Sequence, residues 1–219
     1  LIGSSEEFVE LARKYISQMV EMGERFVTLE KRQKEKDTML TLSEEVRNCT
    51  KCPLHSTRRN TVFGEGNPLA ELMFVGEAPG REEDLQGRPF VGAAGQLLTK
   101  MIEAINLKRE DVYIANILKC RPPENRDPLR EEVEACRGYL LRQIELVKPG
   151  VICGLGSHAT KVLLETAIPI SRLRGEVHQL GSAKFVPTYH PAALLRNPGW
   201  KRSAWEDLKL VRELCQGGN

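Results

Sequence analysis

The apolar positions of this chain follow two successive regimes. In the first, Phe8, Ala12, Tyr15, Ile16, Met19, Val20, Met22, Phe26, Val27 and Leu29 recur at three- and four-residue intervals. That spacing predicts one long amphipathic helix over residues 5 to about 36. The stripe fades into "EKRQKEKD", a charged run that reads as a solvated linker. "TLSEEVRN" follows as a short helix, with a capping box from Thr41 to Glu44 or a cap at Ser43 with the acids after it.

From residue 71 onward, apolar runs alternate with helical stripes. "ELMFVGE", "DVYIANILKC", "GVICGLG" and "KFVPTYHP" read as strands. "AAGQLLTKMIEAI", "DPLREEVEACRGYLLRQIELV", "SHATKVLLE" and "SAWEDLKLVRELC" read as helices, with Ser157 a candidate N-cap. Such alternation predicts an α/β fold with three layers, α/β/α, around a central four-stranded, mostly parallel sheet. The expected organisation is an N-terminal helical extension and linker over 1–40 and one domain over 41–219. In a sheet of this kind ligands sit at the carboxyl ends of the strands. The residues found there are Glu77, Ala78, Asn116, His158 and His190.

Composition alters this picture little. The 219 residues are 41% hydrophobic and 28% charged, an ordinary globular balance. No apolar run approaches the length of a membrane span. The opening "LIGSSEEFVE" lacks the basic-then-apolar pattern of a signal peptide, so a cytoplasmic protein is expected. A net charge of +2 says little, but its distribution says more. Arg172, Arg174, Lys184, Arg196, Lys201 and Arg202 face a single acid, Glu176, between Ser171 and Arg202. Lys119, Arg121, Arg126 and Arg130 form a second basic group. Clusters of this kind track a phosphate backbone or form a solvated surface.

Six cysteines are present. Cys49 and Cys52 form a C-x2-C clamp, and Cys120 and Cys136 stand sixteen positions apart across a proline-rich loop. Four thiolates suit zinc or a [4Fe–4S] cluster, and the split second pair favours the cluster. Buried, unliganded thiols are the alternative for Cys120 and Cys136. Cys153, inside an apolar strand, and Cys215, inside the last helix, read as packing residues.

The stretch "VGEAPGREEDLQGRPFVGAAGQLL" joins a strand to a helix and is glycine-rich. It lacks the Gly-Lys-Ser/Thr of a phosphate loop and the G-x-G-x-x-G spacing. Its acids Glu77, Glu82, Glu83 and Asp84 repel phosphate. Phe90, held between proline and glycines, is either a core anchor or a stacking platform. Asn116, read as mid-strand among apolar neighbours, is either a structural hydrogen bonder or the reader of a ligand edge. His190 precedes Pro191 at a strand end.

Together "GEAPGREEDLQGRPFVGAAGQLL", "NILKCRPPENRDP" and "HPAALLRNP" resemble the three signature segments of family-four uracil-DNA glycosylases, the iron–sulfur branch of that superfamily in bacteria and archaea. The resemblance runs from about Cys49 to the last helix and leaves the first forty or so residues, with any protein partner of their helix, unassigned. It implies a structural [4Fe–4S] cluster on Cys49, Cys52, Cys120 and Cys136. It also implies a uracil pocket formed by Glu77, Ala78 and Pro79, a stacking Phe90, Asn116 on the base edge and His190. His158 matches no segment of the family and drops out.

The implied activity is removal of flipped-out uracil from single- or double-stranded DNA, with Glu77, Asn116 and His190 in catalysis and no membrane involved. Arg172, Arg174, Arg196, Lys201 and Arg202 are the expected DNA contacts. Better-known branches of the superfamily carry a water-activating Asp followed by Pro and Tyr, where this chain has Ala78, Pro79 and Gly80. A dissociative reaction with a well-stabilised leaving group would make a strong base unnecessary.

Overall fold

A computed structural model describes residues 38–217. The chain divides between Thr38 and Met39. The helix expected over residues 5–36 lies outside the described residues. The strands and helices named below all belong to the unit that begins at Met39.

The strands are β1 (Glu65–Gly66), β2 (Leu72–Gly76), β3 (Tyr113–Asn116), β4 (Val151–Leu155), β5 (His178–Leu180) and β6 (Ala183–Thr188). They form one sheet in the order β1-β3-β2-β4-β6-β5. The inner four are parallel, and the two edge strands run antiparallel to their neighbours. The expected four-stranded parallel sheet is therefore present, widened by β1 and β5. The order reverses at β2, which has β3 on one side and β4 on the other. A crevice forms at the carboxyl ends of two strands whose connections leave in opposite directions.

Helices α1 (Met39–Arg47), α4 (Arg130–Val147) and α5 (Ser157–Leu163) cover one face. Helices α3 (Ala93–Ala104), α7 (Pro191–Arg196) and α8 (Lys201–Gln216) cover the other. The remaining helices are α2 (Arg81–Gln86) and α6 (Ile170–Leu173). A strand's side chains alternate between faces, so a strand buried on both reads as an unbroken apolar run. In β2, Met73 and Val75 pack with Leu42, Tyr139 and Leu140, while Leu72 and Phe74 pack with Leu98, Ile102 and Leu208. All five residues of β2 are buried, and at about 1.5–3 kcal/mol for each large apolar side chain such layers dominate the folding energy. Among the described residues no helix is long and apolar enough to cross a membrane.

Four local expectations need correction. The first short helix begins at Met39, so Thr41 lies inside its first turn and does not cap it, and nor does Ser43. The run "DVYIANILKC" forms a strand only to Asn116, so Asn116 ends β3 rather than lying within it. Beyond it, the amides of Ile117 and Leu118 still bond to the carbonyls of Gly76 and Glu77. The amide of Lys119 then donates to Cys136 Sγ at 3.3 Å, which turns the chain away from the sheet. The glycine-rich stretch is not wholly loop, because Arg81–Gln86 is helical. The residue that caps α5 is Gly156, not Ser157. Its φ of +93° belongs to glycine, and a Cβ there would approach His190 Cβ to 2.9 Å.

Candidate active site

A cleft of about 840 Å³ opens at the carboxyl ends of β2, β3, β4 and β6. Glu77, Ala78, Pro79, Phe90, Asn116 and His190 all line it. Asn116 is 1% exposed, and its Oδ1 is buried with no hydrogen-bond donor in reach. An orphaned buried acceptor of this kind costs about 1–3 kcal/mol, so its persistence at a cleft wall points to a ligand that supplies the donor. The approach depends on Gly76. A Cβ there would stand 2.4 Å from Asn116 Oδ1 and 2.6 Å from Phe90 Cζ.

Phe90 is buried among the α3-side apolar residues and lines the cleft as well, so it is both core anchor and floor. Its φ of +51° is a left-handed conformation that costs energy for a bulky residue. Glu83 holds it there. The Glu83 carboxylate accepts from the amides of Val91 (2.9 Å) and Gly92 (3.0 Å) through Oε1, and from Gly80 (3.1 Å) through Oε2. Asp84, also buried, accepts from the amides of Arg59 and Asn60. Two of the acids that mark this stretch in the sequence are therefore structural.

His190 faces Phe90 with ring centroids 5.7 Å apart. It caps α7, and its Nδ1 accepts from the Ala192 amide at 3.1 Å. Accepting at Nδ1 places the proton of the neutral ring on Nε2. Burial pushes its pKa down to about 4; the Glu77 charge opposes this and that of Arg196 adds to it. At neutral pH the ring is an uncharged Nε2–H donor.

Glu77 does not stand alone. His158 Nδ1 lies 2.7 Å from Glu77 Oε2, and His158 Nε2 lies 3.8 Å from Asp127 Oδ2. The ligand atoms of the three residues fall within 4.8 Å of one another. The hydrogen bond to Glu77 raises the His158 pKa, with the Glu77 and Asp127 charges adding and burial and Lys161 opposing. His158, set aside on the sequence, thus belongs to the site. Its one sequence signal was its place after a strand's carboxyl end.

The family model described as "Uracil DNA glycosylase superfamily" matches residues 63–209. The chain is 50% identical over 179 residues to the type-4 uracil-DNA glycosylase of Archaeoglobus fulgidus, covering 78% of this chain and 90% of that one. It is 49% identical over 184 residues to the type-4 uracil-DNA glycosylase of Thermotoga maritima, covering 82% and 96%. To the type-5 uracil-DNA glycosylase of Pyrobaculum aerophilum it is 31% identical over 185 residues, covering 69% and 81%. The chain belongs to the uracil-DNA glycosylase superfamily and groups with its type-4 members.

Cys49, Cys52, Cys120 and Cys136 line one small cavity with Arg58, Lys119 and Tyr139. Three of the four sulfurs already accept a hydrogen bond: Cys49 from the Lys51 amide (3.5 Å), Cys120 from Arg58 Nη1 (3.2 Å) and Cys136 from the Lys119 amide. Burial raises the Cys120 thiol and pushes Cys136 up to about 11, so these sulfurs ionise only with a compensating cation. Cys153 is buried in the sheet.

Lys119 connects this cavity to the cleft. It is 1% exposed, and its Nζ donates to the Asn116 carbonyl at 2.7 Å and to Gln143 Oε1 at 2.5 Å. Gln143 Nε2 donates in turn to Phe63 O and Tyr113 Oη. Desolvation lowers Lys119 to about 8, opposed by Cys136 and Cys120. Every member of this buried chain has a partner, as a polar core requires.

The basic residues separate into two kinds. Arg196 lines the cleft, and Arg172, Lys201 and Arg202 are exposed. Arg174 instead makes a bidentate pair with buried Asp207, at 3.0 and 2.8 Å, and bonds the Ser203 carbonyl. In the second basic group, Arg126 is paired with Glu132 and Arg130 with Glu134. Charge counting along the sequence does not separate paired from free cations.

Proposed function

We propose that this protein hydrolyses the N-glycosidic bond between uracil and deoxyribose in DNA, releasing free uracil and leaving an abasic site. One observation carries the reading: the buried, unpartnered Asn116 Oδ1 at the wall of a cleft floored by Phe90 and flanked by a neutral His190. Uracil offers an N3–H donor beside an O4 acceptor. Asn116 Oδ1 accepts from N3–H and Nδ2 donates to O4. Cytosine presents the reverse pattern and leaves both pairs mismatched.

The target base must leave the helical stack to reach this cleft, and Phe90 replaces the lost stacking. As the glycosidic bond lengthens, negative charge gathers on uracil O2 and positive charge on the sugar. His190 Nε2–H donates to O2 and stabilises the anion without giving up its proton. Glu77, with Oε2 engaged by His158, keeps Oε1 for the attacking water and opposes the sugar cation with its charge. Water adds its hydroxyl to C1′ and gives its other proton to Glu77 Oε1, from which it passes to solvent, while uracil leaves as the anion and takes up a proton from solvent. Ala78 offers no base, so Glu77 is the carboxylate of this turn. Arg172, Arg196, Lys201 and Arg202 hold phosphates. Arg174, expected among them, is committed to Asp207.

Cys49, Cys52, Cys120 and Cys136 hold a [4Fe–4S] cluster. The donor set fits, with four sulfurs around one cavity and N–H groups directed at three of them. When bound, the cluster cross-links the segment around residues 49–52 to the chain after β3 and to α4, and takes no part in the steps above. All six cysteines are free of disulfides, which supports the reducing cytoplasm of a bacterium or archaeon as its setting.

The test is incubation of the brown, cluster-loaded protein with single- and double-stranded oligonucleotides containing one uracil, followed by alkaline scission at abasic sites. Strand cleavage at the uracil is expected. Intact strands would reject the reading.

A further inference from the structure

A stack of side chains stands beside His190 and has no part in the mechanism above. Trp200 lies against Tyr189 with ring centroids 4.6 Å apart and planes at 23°. The Arg174 guanidinium sits over the same Tyr189 ring, 5.4 Å from its centroid. Arg174 is fixed by Asp207, whose side chain is fully buried and also accepts from Thr188 Oγ1 at 2.7 Å. Thr188, Tyr189 and His190 are consecutive, so one buried ion pair braces the strand end that presents both the stack and the catalytic ring. Burying such a pair is costly, and what it holds rigid here is an aromatic column.

The column ends in solvent. Trp200 is 43% exposed, and both it and Tyr189 line the cleft. Trp200 follows the Pro198–Gly199 turn, and Arg196, Lys201 and Arg202 lie within four residues of it, all exposed. An exposed, immobilised indole among exposed cations is the arrangement that binds a nucleic-acid strand. The ring takes a base, and the cations track its phosphates. Phe90 already serves the flipped base, so Trp200 is available to a different one.

We propose that Trp200, buttressed by Tyr189 and Arg174, is a second stacking shelf for a nucleobase next to the flipped uracil on the same strand. The proposal rests on the uracil-excision reading. It makes Trp200 a substrate-binding residue, and Arg174 a positioning residue in place of a phosphate contact.

The test is a double cycle of binding. Oligonucleotides carry a 2′-fluoro-deoxyuridine, which blocks excision, with either intact bases or a base-less tetrahydrofuran residue on each side in turn. For the unmodified protein, removing one particular neighbouring base weakens binding about tenfold, the effect of losing one base–aromatic stack. W200A binds the intact strand about tenfold more weakly and loses nothing further when that base is removed, while W200F retains most of the penalty. In a W205F background Trp200 is the sole indole, and the intact strand quenches its emission more than the base-less one. A W200A protein that still suffers the full penalty for the missing base overturns the proposal. Binding is read without excision, so intact strands in the cleavage assay reject the excision reading and leave the cycle readable.

Discussion

The proposed mechanism requires His190 to act as a neutral hydrogen-bond donor, and that requirement has a measurable size. With a pKa near 4, about one ring in a thousand is protonated at pH 7 and about one in ten at pH 5. The Ala192 amide holds Nδ1 as an acceptor, so the neutral ring carries its proton on Nε2. Imidazole nitrogen shifts followed by NMR from pH 8 to pH 4 report both features, with the His190 signals assigned by their loss in His190→Gln. One of the four histidines is expected to remain an Nε2–H tautomer down to about pH 5. His190→Ala removes the donor to uracil O2 and is expected to slow single-turnover excision by about 100- to 1,000-fold, with a far smaller change in DNA affinity. The same depressed pKa affects stability. The unfolded chain binds a proton near pH 6.5 that the folded chain excludes until about pH 4, so the His190 contribution to stability is lost as pH falls through that window. A midpoint near 6.5, an Nδ1–H tautomer, or equal losses of rate and affinity in His190→Ala would overturn this role for the ring.

Three more outcomes are set by the geometry. The hydrogen bond to Glu77 raises the His158 pKa from its ordinary value, and His158 holds Glu77 Oε2 at 2.7 Å, so the excision rate of the unmodified protein carries a pH-dependent limb at the His158 midpoint. His158→Phe removes that limb from the pH–rate profile, whereas a purely structural role would lower the whole profile and leave its shape. Gly76→Ala drives a methyl group into Asn116 Oδ1 and Phe90; it is expected to cost about 1–3 kcal/mol in urea unfolding and to abolish excision. Asp207→Ala leaves Arg174 without its counter-charge and is expected to cost about 3–5 kcal/mol, while Arg174→Met combined with Asp207→Leu recovers most of the loss, as thermal unfolding will report.

The sheet was legible because its inner strands are buried on both faces. A run such as Leu72–Gly76 has no polar interruption, and the helices beside it carry one apolar stripe each. The edge strands were not legible. Glu65–Gly66 is too short to show a period, and His178–Leu180 is half-exposed and polar. The hairpin that joins β5 to β6 turns on Gly181, with φ of +59°, beside a pair from Leu180 to Ala183. That is a two-residue turn, and "GS" alone, with no alternating strand on its amino side, does not announce it. The end of β3 was misplaced because "ANILKC" stays apolar after the ladder stops; what ends it is a bond from the Lys119 amide to a sulfur seventeen residues away.

The site shows the same division. Asn116, Phe90, His190 and Glu77 sit at strand ends or in marked turns, where one sequence can reveal them. His158, Glu83 and Lys119 act through partners distant in sequence or through backbone amides. No spacing rule announces a lysine that points inward between a carbonyl and a glutamine. The basic residues were legible as charge and not as contacts, since Arg174 and Arg126 are consumed by acids that only folding brings near.

In the proposed function, selection of uracil rests on Asn116 Oδ1 accepting from N3–H of the base. The most direct measurement uses one oligonucleotide that contains both uracil and N3-methyluracil, with the released bases identified by mass spectrometry. Release of uracil with N3-methyluracil retained is the predicted result. Comparable release of both bases would contradict it.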